Sequence, residues 1–365
     1  MTKNRPCKSN PVTTATEKIP LVSVIIPVFN AAKFLAQTLE SLLCQTMTDF
    51  EVIAVDDCST DNSVAVAESF ASHFNGRLKI VKLATNSGTP DLPRNVGIQA
   101  SHGKYFTFLD DDDFFTPTAL EELSTLAEEF QADVVHTDDF YAFDATGKNF
   151  ATFADLLREE TFDIMTCRQA GAQALQRATD APKELAERIK LWLNGEFQWA
   201  TWSLFVRKDF WTANKLAFPR MRVSGDTLGN FYCLCLANNL LRVPNVTYIH
   251  RGDPESITNE SADAEKYLRK WLSDLTVGFR EFAAFMDGLD FFREKIGYRY
   301  AVLNWFFEKF MRDAQRLPFA YAQIHPALLA RIVEKEFSSD DAALAAYLFN
   351  VVNLQRFELA KLQRQ

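Results

Sequence analysis

Residues 103–117 read GKYFTFLDDDDFFTP. The apolar run Tyr105–Leu109 has the aromatic and β-branched character of a buried strand, and it ends abruptly on Asp110, Asp111, Asp112 and Asp113. Thr116 and Pro117 then supply an N-cap and a first helical residue for the segment TALEELSTLAEEF. Four neighbouring carboxylates repel one another and raise each other's pKa unless something positive binds. Mg²⁺ or Mn²⁺ supplies that charge, taking one or two carboxylates and completing its shell with phosphate oxygens and water. A solvated acidic turn is the plainer reading of an Asp run, but the tight framing by strand and helix argues for a ligand site.

Working outward, the same alternation repeats. LVSVIIPV (21–28) is a continuous apolar run, as in a strand buried on both faces, and Asn30 can cap a helix carrying Leu35, Leu39 and Leu42. FEVIAVDD (50–57), RLKIVKL (77–83) and ADVVHTD (132–138) are further strands, with helices predicted between them. This order predicts an α/β fold with a mostly parallel sheet. Ligands in such sheets bind outside the carboxyl ends of the strands. Asn30, Asp56, Asp57 and Asp110–Asp113 all fall at those ends. Residues 145–198 are charged and helical in pattern and predict an insertion or lid. WSLFVRK returns to strand, GDTLGNFYCLCLANN to helix and LLRVPNVTYIHR to strand. From Ser261 the pattern is helical, with Leu268, Leu272, Leu275, Phe279, Phe282 and Met286 at helical spacing. The predicted organisation is an extended or disordered segment 1–20, an α/β domain 21–260 and a helical domain 261–365.

Composition narrows the function. Hydrophobic residues make up 47% and charged residues 24% of the 365, the balance of a soluble globular protein, and 32 phenylalanines predict heavy aromatic packing. A net charge of −9 argues against nonspecific nucleic-acid binding and against a polybasic membrane tether. The acidic excess is uneven: from Asp263 onward there are 15 basic and 14 acidic side chains, against 24 and 34 before it. Cys7, Cys44, Cys58, Cys167, Cys233 and Cys235 form no CxxC pair and read as buried free thiols. The polar stretch MTKNRPCKSNPVTTATEKIP and the absence of any run of about 18 apolar residues predict a cytoplasmic protein.

Taken in order, VSVIIPVFN, FEVIAVDDCSTDNS, NSG…PRNVGI and GKYFTFLDDDD resemble the family-2 glycosyltransferases of GT-A fold, strongly over about 20–140 and loosely over 199–258. The resemblance implies a Rossmann-like sheet and a metal-dependent, inverting transfer of a sugar, a hexosyl or N-acetylhexosaminyl group, from a nucleotide sugar, most readily a UDP-sugar. By the same resemblance Pro27, Phe29 and Asp57 line the base pocket, Arg94 braces it, Asp110 or Asp111 meets the ribose, and Asp112 holds Mn²⁺ or Mg²⁺. Both Asp110-x-Asp112 and Asp111-x-Asp113 match the family's DxD pattern; FLDxDD favours Asp112. Asp226 heads a helix where the family carries its base, with Gly225 in place of the commoner Glu, although an N-cap role is open to it as well. His250 stands where the family places a contact to the diphosphate or metal, with Arg251 beside it. Trp199 and Trp202 are candidates for stacking on an acceptor sugar, or for the core.

The processive members' QxxRW motif is absent, so single additions to a glycan, cell-surface polymer or lipid-linked acceptor are implied, with bacterial cell-surface polysaccharide synthesis as the setting. A catalytically silent nucleotide-sugar-binding scaffold of the same fold is the alternative. A nucleotidyltransferase would need a Gly-rich basic loop after the first strand, and PVFNAAKF lacks one. Trp271, Phe306, Phe310 and Tyr347 exceed what one thin helical layer buries, which leaves open a homo-oligomer, a peripheral contact with the inner face of the plasma membrane, or a self-contained bundle.

Overall fold

The computed structural model describes residues 19–144, 150–159, 161–166, 175–197, 200–252, 263–314 and 316–336. The chain begins as strand–helix pairs: β1 (Val22–Val28) and α1 (Leu35–Leu43), β2 (Phe50–Asp56) and α2 (Ser63–Ser69), β3 (Leu78–Lys82) and α3 (Asp91–Ala100). Then come β4 (Tyr105–Phe108), the two-residue β5 (Phe114–Phe115), α4 (Ala119–Glu129), β6 (Val134–Thr137) and β7 (Asp139–Asp144). The insertion contributes α5 (Phe153–Glu159), β8 (Asp163–Thr166), β9 (Thr179–Asp180) and α6 (Leu185–Leu193), so its described part is not helical throughout. β10 (Leu204–Arg207), α7 (Lys208–Ala213), α8 (Gly225–Leu236), β11 (Leu240–Val243) and β12 (Tyr248–Gly252) follow. The rest is helical: α9 (Ala264–Asp287), α10 (Asp290–Glu294), α11 (Ile296–Asp313), α12 (Leu317–Gln323) and α13 (Pro326–Glu336).

Eight strands form a mixed central sheet in the order β3-β2-β1-β4-β10-β6-β11-β9. β1, β2, β3 and β4 pair in parallel, as do β6 and β11, whereas β10 runs antiparallel to both its neighbours and β9 antiparallel to β11. Side chains alternate across this sheet. Val22, Val24, Ile26, Val28, Tyr105 and Phe205 enter the core beneath α1 and α4. Ile25, Phe106, Phe108, Leu204 and Val206 enter the opposite core, which continues through α6 and α8 into α9 and α11. All seven residues of β1 are buried, which is why its sequence shows no polar alternation.

A second sheet, β5-β12-β7-β8, was not anticipated from the sequence. It carries a small aromatic core of Phe114, Phe143, Phe153, Leu156 and Ile249. Trp271, Phe306 and Phe310 are 4%, 0% and 0% exposed, and Phe306 packs against Phe282, which in turn meets Phe231 of α8. These three aromatics are therefore consumed inside the chain, whereas Tyr300 and Phe319 of the same helical region are 58% and 49% exposed, and Tyr347 lies outside the described residues. Of the cysteines in the described residues, Cys233 is buried, Cys58 and Cys235 are half-buried, and Cys44 is exposed rather than buried; all four are free. Among the described residues no helix is long and apolar enough to cross a membrane.

Candidate active site

β1 and β4 pair only as far as Ile25 and Phe108, but β1 continues beside β2 to Val28. The aspartate loop leaves the sheet at that divergence. Pro27 falls where β4 no longer pairs, so its missing N–H costs no ladder bond on that side. Pro27 is buried within β1; Phe29, just past its end, is 41% exposed. The Phe29 N–H donates to Asp111 Oδ2 at 3.0 Å and ties the strand end to the loop.

The four aspartates have different surroundings. Asp113 is 1% exposed and accepts from Tyr248 Oη at 2.7 Å, His250 Nδ1 at 3.0 Å and the Arg251 N–H at 2.7 Å. It is the bracket between the loop and β12. Asp112 has no hydrogen-bond donor to its carboxylate among the described residues; its carbonyl accepts from Arg251 Nε at 2.9 Å. Arg251 itself is 3% exposed, reaches Gln37 of α1 at 2.6 Å, and lies over the rings of Phe34 and Phe114 at 4.3 and 4.8 Å. Its role is to hold the Asp112 backbone, which sequence reasoning missed. Asp110 meets Arg94 Nη2 at 3.3 Å, and Arg94 meets Asp91 at 3.3 Å.

Burial, before any mutual repulsion, pushes three of these carboxyls up: Asp111 to about 7, Asp110 upward against the pull of Arg94, and Asp112 well above the usual range, with Asp113, Asp111 and Asp110 adding to the effect. The ring of His250 is held protonated to about 9 by Asp113 and Asp112 in spite of its own desolvation.

Asp226 lies in the first turn of α8, after Ser224 in the left-handed conformation (φ 66°). Its Oδ1 accepts from the Thr227 N–H at 2.9 Å. Burial raises the Asp226 carboxyl, against the charges of Lys309 and Arg94 and with that of Asp110. Arg94 and Asp110 thus feel the same charge as Asp226, so the aspartate loop and the start of α8 share one electrostatic site. Gly225 has a local cause. A Cβ there would stand 2.0 Å from Asp91 Oδ2, so the carboxylate of Asp91 occupies the place of a side chain at 225. Burial pushes Asp91 up to about 7, against the charge of Arg94.

Other expected residues lie differently. Asp57 is 4% exposed, and Ser87 engages both its oxygens, through N–H at 2.8 Å and Oγ at 2.9 Å. Asn30 does not cap α1, which starts at Leu35 without a side-chain cap; its Oδ1 accepts from the Thr60 N–H at 2.8 Å. α4 starts at Ala119, two residues beyond Pro117, and the Thr116 hydroxyl has no partner among the described residues. Trp202 stacks on Tyr248 at 4.4 Å and 10°, which covers one of its faces, with Phe140 edge-on at 4.9 Å. Trp199 lies outside the described residues.

The donor set can be tested against a divalent cation. Among the described residues no group of three or more His, Cys, Asp or Glu side chains forms a closed metal cage. Asp112, unpartnered and with its titration pushed up, fits a cation shared with a diphosphate, because Mg²⁺-type sites take one or two carboxylates and leave the remaining positions to phosphate and water. His250 meets Asp113 through Nδ1 at 3.0 Å, and its second ring nitrogen is the one that would face the diphosphate or metal position the sequence gave it.

The sequence model of glycosyl transferase family 2 matches residues 23–173. EpsH of Bacillus subtilis is 32% identical over 271 residues, 73% of this chain and 70% of that protein. The uncharacterized glycosyltransferase EpsJ of the same organism is 30% identical over 241 residues, 66% of this chain and 63% of EpsJ. The poly(ribitol-phosphate) β-N-acetylglucosaminyltransferase TarS of Staphylococcus aureus is 38% identical over 115 residues, 31% of this chain but only 20% of TarS. The crystal structure of TarS 1–349 in complex with UDP-GlcNAc superposes with a TM-score of 0.61 over 94% of this chain and 92% of that one, at 20% identity, a likeness of fold.

Proposed function

Because the chain belongs to glycosyl transferase family 2, we propose that it transfers a sugar from a nucleotide sugar, in the first instance a UDP-sugar, to a hydroxyl of a glycan, cell-surface polymer or lipid-linked acceptor, with inversion and one residue at a time. The observation that carries this reading is the division of labour among the aspartates. Asp113 is locked into the fold, while Asp112 stands beside it with no donor among the described residues and a carboxyl pushed up by burial. Asp112 is the residue that would hold a divalent cation, and such an ion, when bound, would supply positive charge to a leaving diphosphate.

The protein groups then have distinct tasks. Phe29, exposed at the end of β1, offers a face to the base. Asp110, drawn in by Arg94, and Asp111, fixed by the Phe29 N–H, set the ribose side. His250 presents a donor to the diphosphate. Asp226 accepts the proton of the acceptor hydroxyl as its oxygen bonds to the anomeric carbon and the bond from that carbon to the phosphate oxygen breaks. Its raised titration suits a base, which works best with a pKa near the operating pH. The cytoplasm, where nucleotide sugars are made, is the compartment this reading requires.

The test is calorimetric titration of UDP with and without Mn²⁺ into the wild type and Asp112→Asn, followed by turnover of a nucleotide-sugar panel by wild type and Asp226→Asn. We expect Mn²⁺-dependent UDP binding that Asp112→Asn weakens tenfold or more. We also expect Asp226→Asn to bind UDP while losing about 10²–10⁴-fold in turnover. No UDP binding under either condition removes the UDP assignment. Turnover unaffected by Asp226→Asn removes the base.

A further inference from the structure

The helical region reaches the candidate base through a carboxylate that the reaction itself does not use. Asp274 of α9 is 2% exposed and directed at the segment that launches α8. Its carboxylate accepts the backbone N–H of Val223, and the backbone of Arg222 lies near enough to favour its ionised form; these are the two residues before the left-handed Ser224. An inward-facing Asp on an amphipathic helix is costly unless its charge is answered. Burial pushes the carboxyl up to about 6, and the backbone of residues 222–223 and the charges of Arg222 and Lys270 pull against that rise.

The rest of this segment is anchored from the other direction. Phe218 exchanges two hydrogen bonds with the Asn95 amide, at 2.8 and 2.9 Å. Arg220 donates to the Ser87 carbonyl at 2.8 Å, and the Met221 N–H to Asp91 Oδ2 at 3.1 Å, while the Thr89 hydroxyl donates to the Met221 carbonyl. Residues 218–221 are therefore fixed to the α3 side, and residues 222–223 to α9. The turn between them and Asp226 has Asp274 as its second fixed point. The approach of α9 is close: a Cβ at Gly278 would lie 2.5 Å from Phe306 Cζ and 3.0 Å from Met221 Cε. From α11, Lys309, 5% exposed and paired with Asp313, adds a charge that favours the ionised form of Asp226.

We propose that the C-terminal helices are part of the catalytic apparatus, with Asp274 as a positioning residue that clamps the Arg222–Ser224 turn and thereby sets the Asp226 carboxylate. The role rests on the reading of Asp226 as the base. A clamp of this kind acts on rate. It sets where the base stands relative to the acceptor hydroxyl and leaves the UDP site, built on β1, β2 and the aspartate loop, as it is.

The experiment uses the full chain and four proteins: wild type, Asp274→Ala, Asp274→Asn and, as a control of comparable burial on the same helix, Leu272→Ala. UDP-GlcNAc turnover with Mn²⁺ gives kcat and KM, calorimetry gives the UDP affinity, and hydrogen exchange reads the amides of Arg222 and Val223. Asp274→Ala is expected to lose about ten- to a hundredfold in kcat, with KM and UDP affinity within about twofold of wild type, and to exchange faster at those two amides. Asp274→Asn, which keeps an acceptor oxygen, recovers most of both. Leu272→Ala loses stability but holds its kcat below its unfolding transition. Unchanged exchange in Asp274→Ala overturns the clamp. Faster exchange with wild-type kcat, or a parallel fall of kcat, KM and stability in Asp274→Ala and Leu272→Ala alike, overturns the positioning role. If wild type binds no UDP, it is the proposed function that fails, and the exchange of Arg222 and Val223 still decides whether Asp274 holds the turn.

Discussion

Gly225→Ala is a change of one methyl group with a consequence that can be worked out in advance. The new Cβ would stand 2.0 Å from Asp91 Oδ2, 2.6 Å from its Cγ and 2.7 Å from its Oδ1, where real contacts stay above 3.0 Å. Asp91 cannot swing aside, because it is 1% exposed and held by Arg94 at 3.3 Å and by the Met221 N–H at 3.1 Å. The start of α8 must therefore retreat by about 1 Å, taking Asp226 with it. Overpacking of this kind costs about 1–3 kcal/mol, and a displacement of that size at a reacting group costs about a hundredfold in rate. Denaturant unfolding and turnover of a nucleotide sugar measure the two effects. Adding Asp91→Ala removes the obstacle, so the double variant should lose less stability than the two single losses together, by about 1–2 kcal/mol of coupling. Wild-type stability and rate in Gly225→Ala, or strict additivity in the double variant, would refute the steric argument.

Two further predictions concern the aspartates and their histidine. Asp113→Ala strands three buried or half-buried donors, on Tyr248, His250 and Arg251, and should cost about 2–4 kcal/mol. Asp112→Asn removes a crowded carboxylate with no donor, and should stay within about 0.5 kcal/mol of wild type or gain. Equal losses in urea unfolding would show that the two positions are not divided as described. His250, held protonated to about 9, contributes stability that is complete below its ordinary pKa near 6.5 and is lost as pH rises through 9. With the side chain 47% exposed, solvent screening reduces the full conversion of about 3 kcal/mol to about 1 kcal/mol. The fall in melting temperature between pH 6.5 and 9 should be shallower in His250→Gln; identical profiles would remove the His250–Asp113 linkage.

The parts of this protein that could be read from sequence are those whose signal is local. β1, β2 and β4 announce themselves because strands buried on both faces need unbroken apolar runs, and the carboxylates at their ends mark the working edge of the sheet. What escaped depends on partners far away in the chain. Asp110 to Asp113 are four identical letters, and only Tyr248, His250 and Arg251, more than 130 residues later, distinguish Asp113 from Asp112. The second sheet was invisible for the same reason, since β7 finds β12 more than 100 residues away. Asn30 misled because the Asx side chain that suits an N-cap suits a loop-to-loop bond to Thr60 equally well. The Gly at 225 reads as a departure from a family pattern until Asp91 is found filling its space, and Asp274 carries no mark in sequence beyond being an acid on the buried face of a helix.

Asp112 and Asp226 hang from different cores. The aspartate loop is braced by Arg251 among Phe34, Phe114 and Phe143, a small aromatic nest beneath the second sheet. Asp226 rests on the large core in which Phe231, Phe282 and Phe306 carry the helical region. Under the proposed function, affinity for the nucleotide and speed of transfer are therefore expected to be separable in this chain. A change to the nest around Phe114 is expected to act on the diphosphate side, and a change that moves the turn before α8 on the rate of transfer.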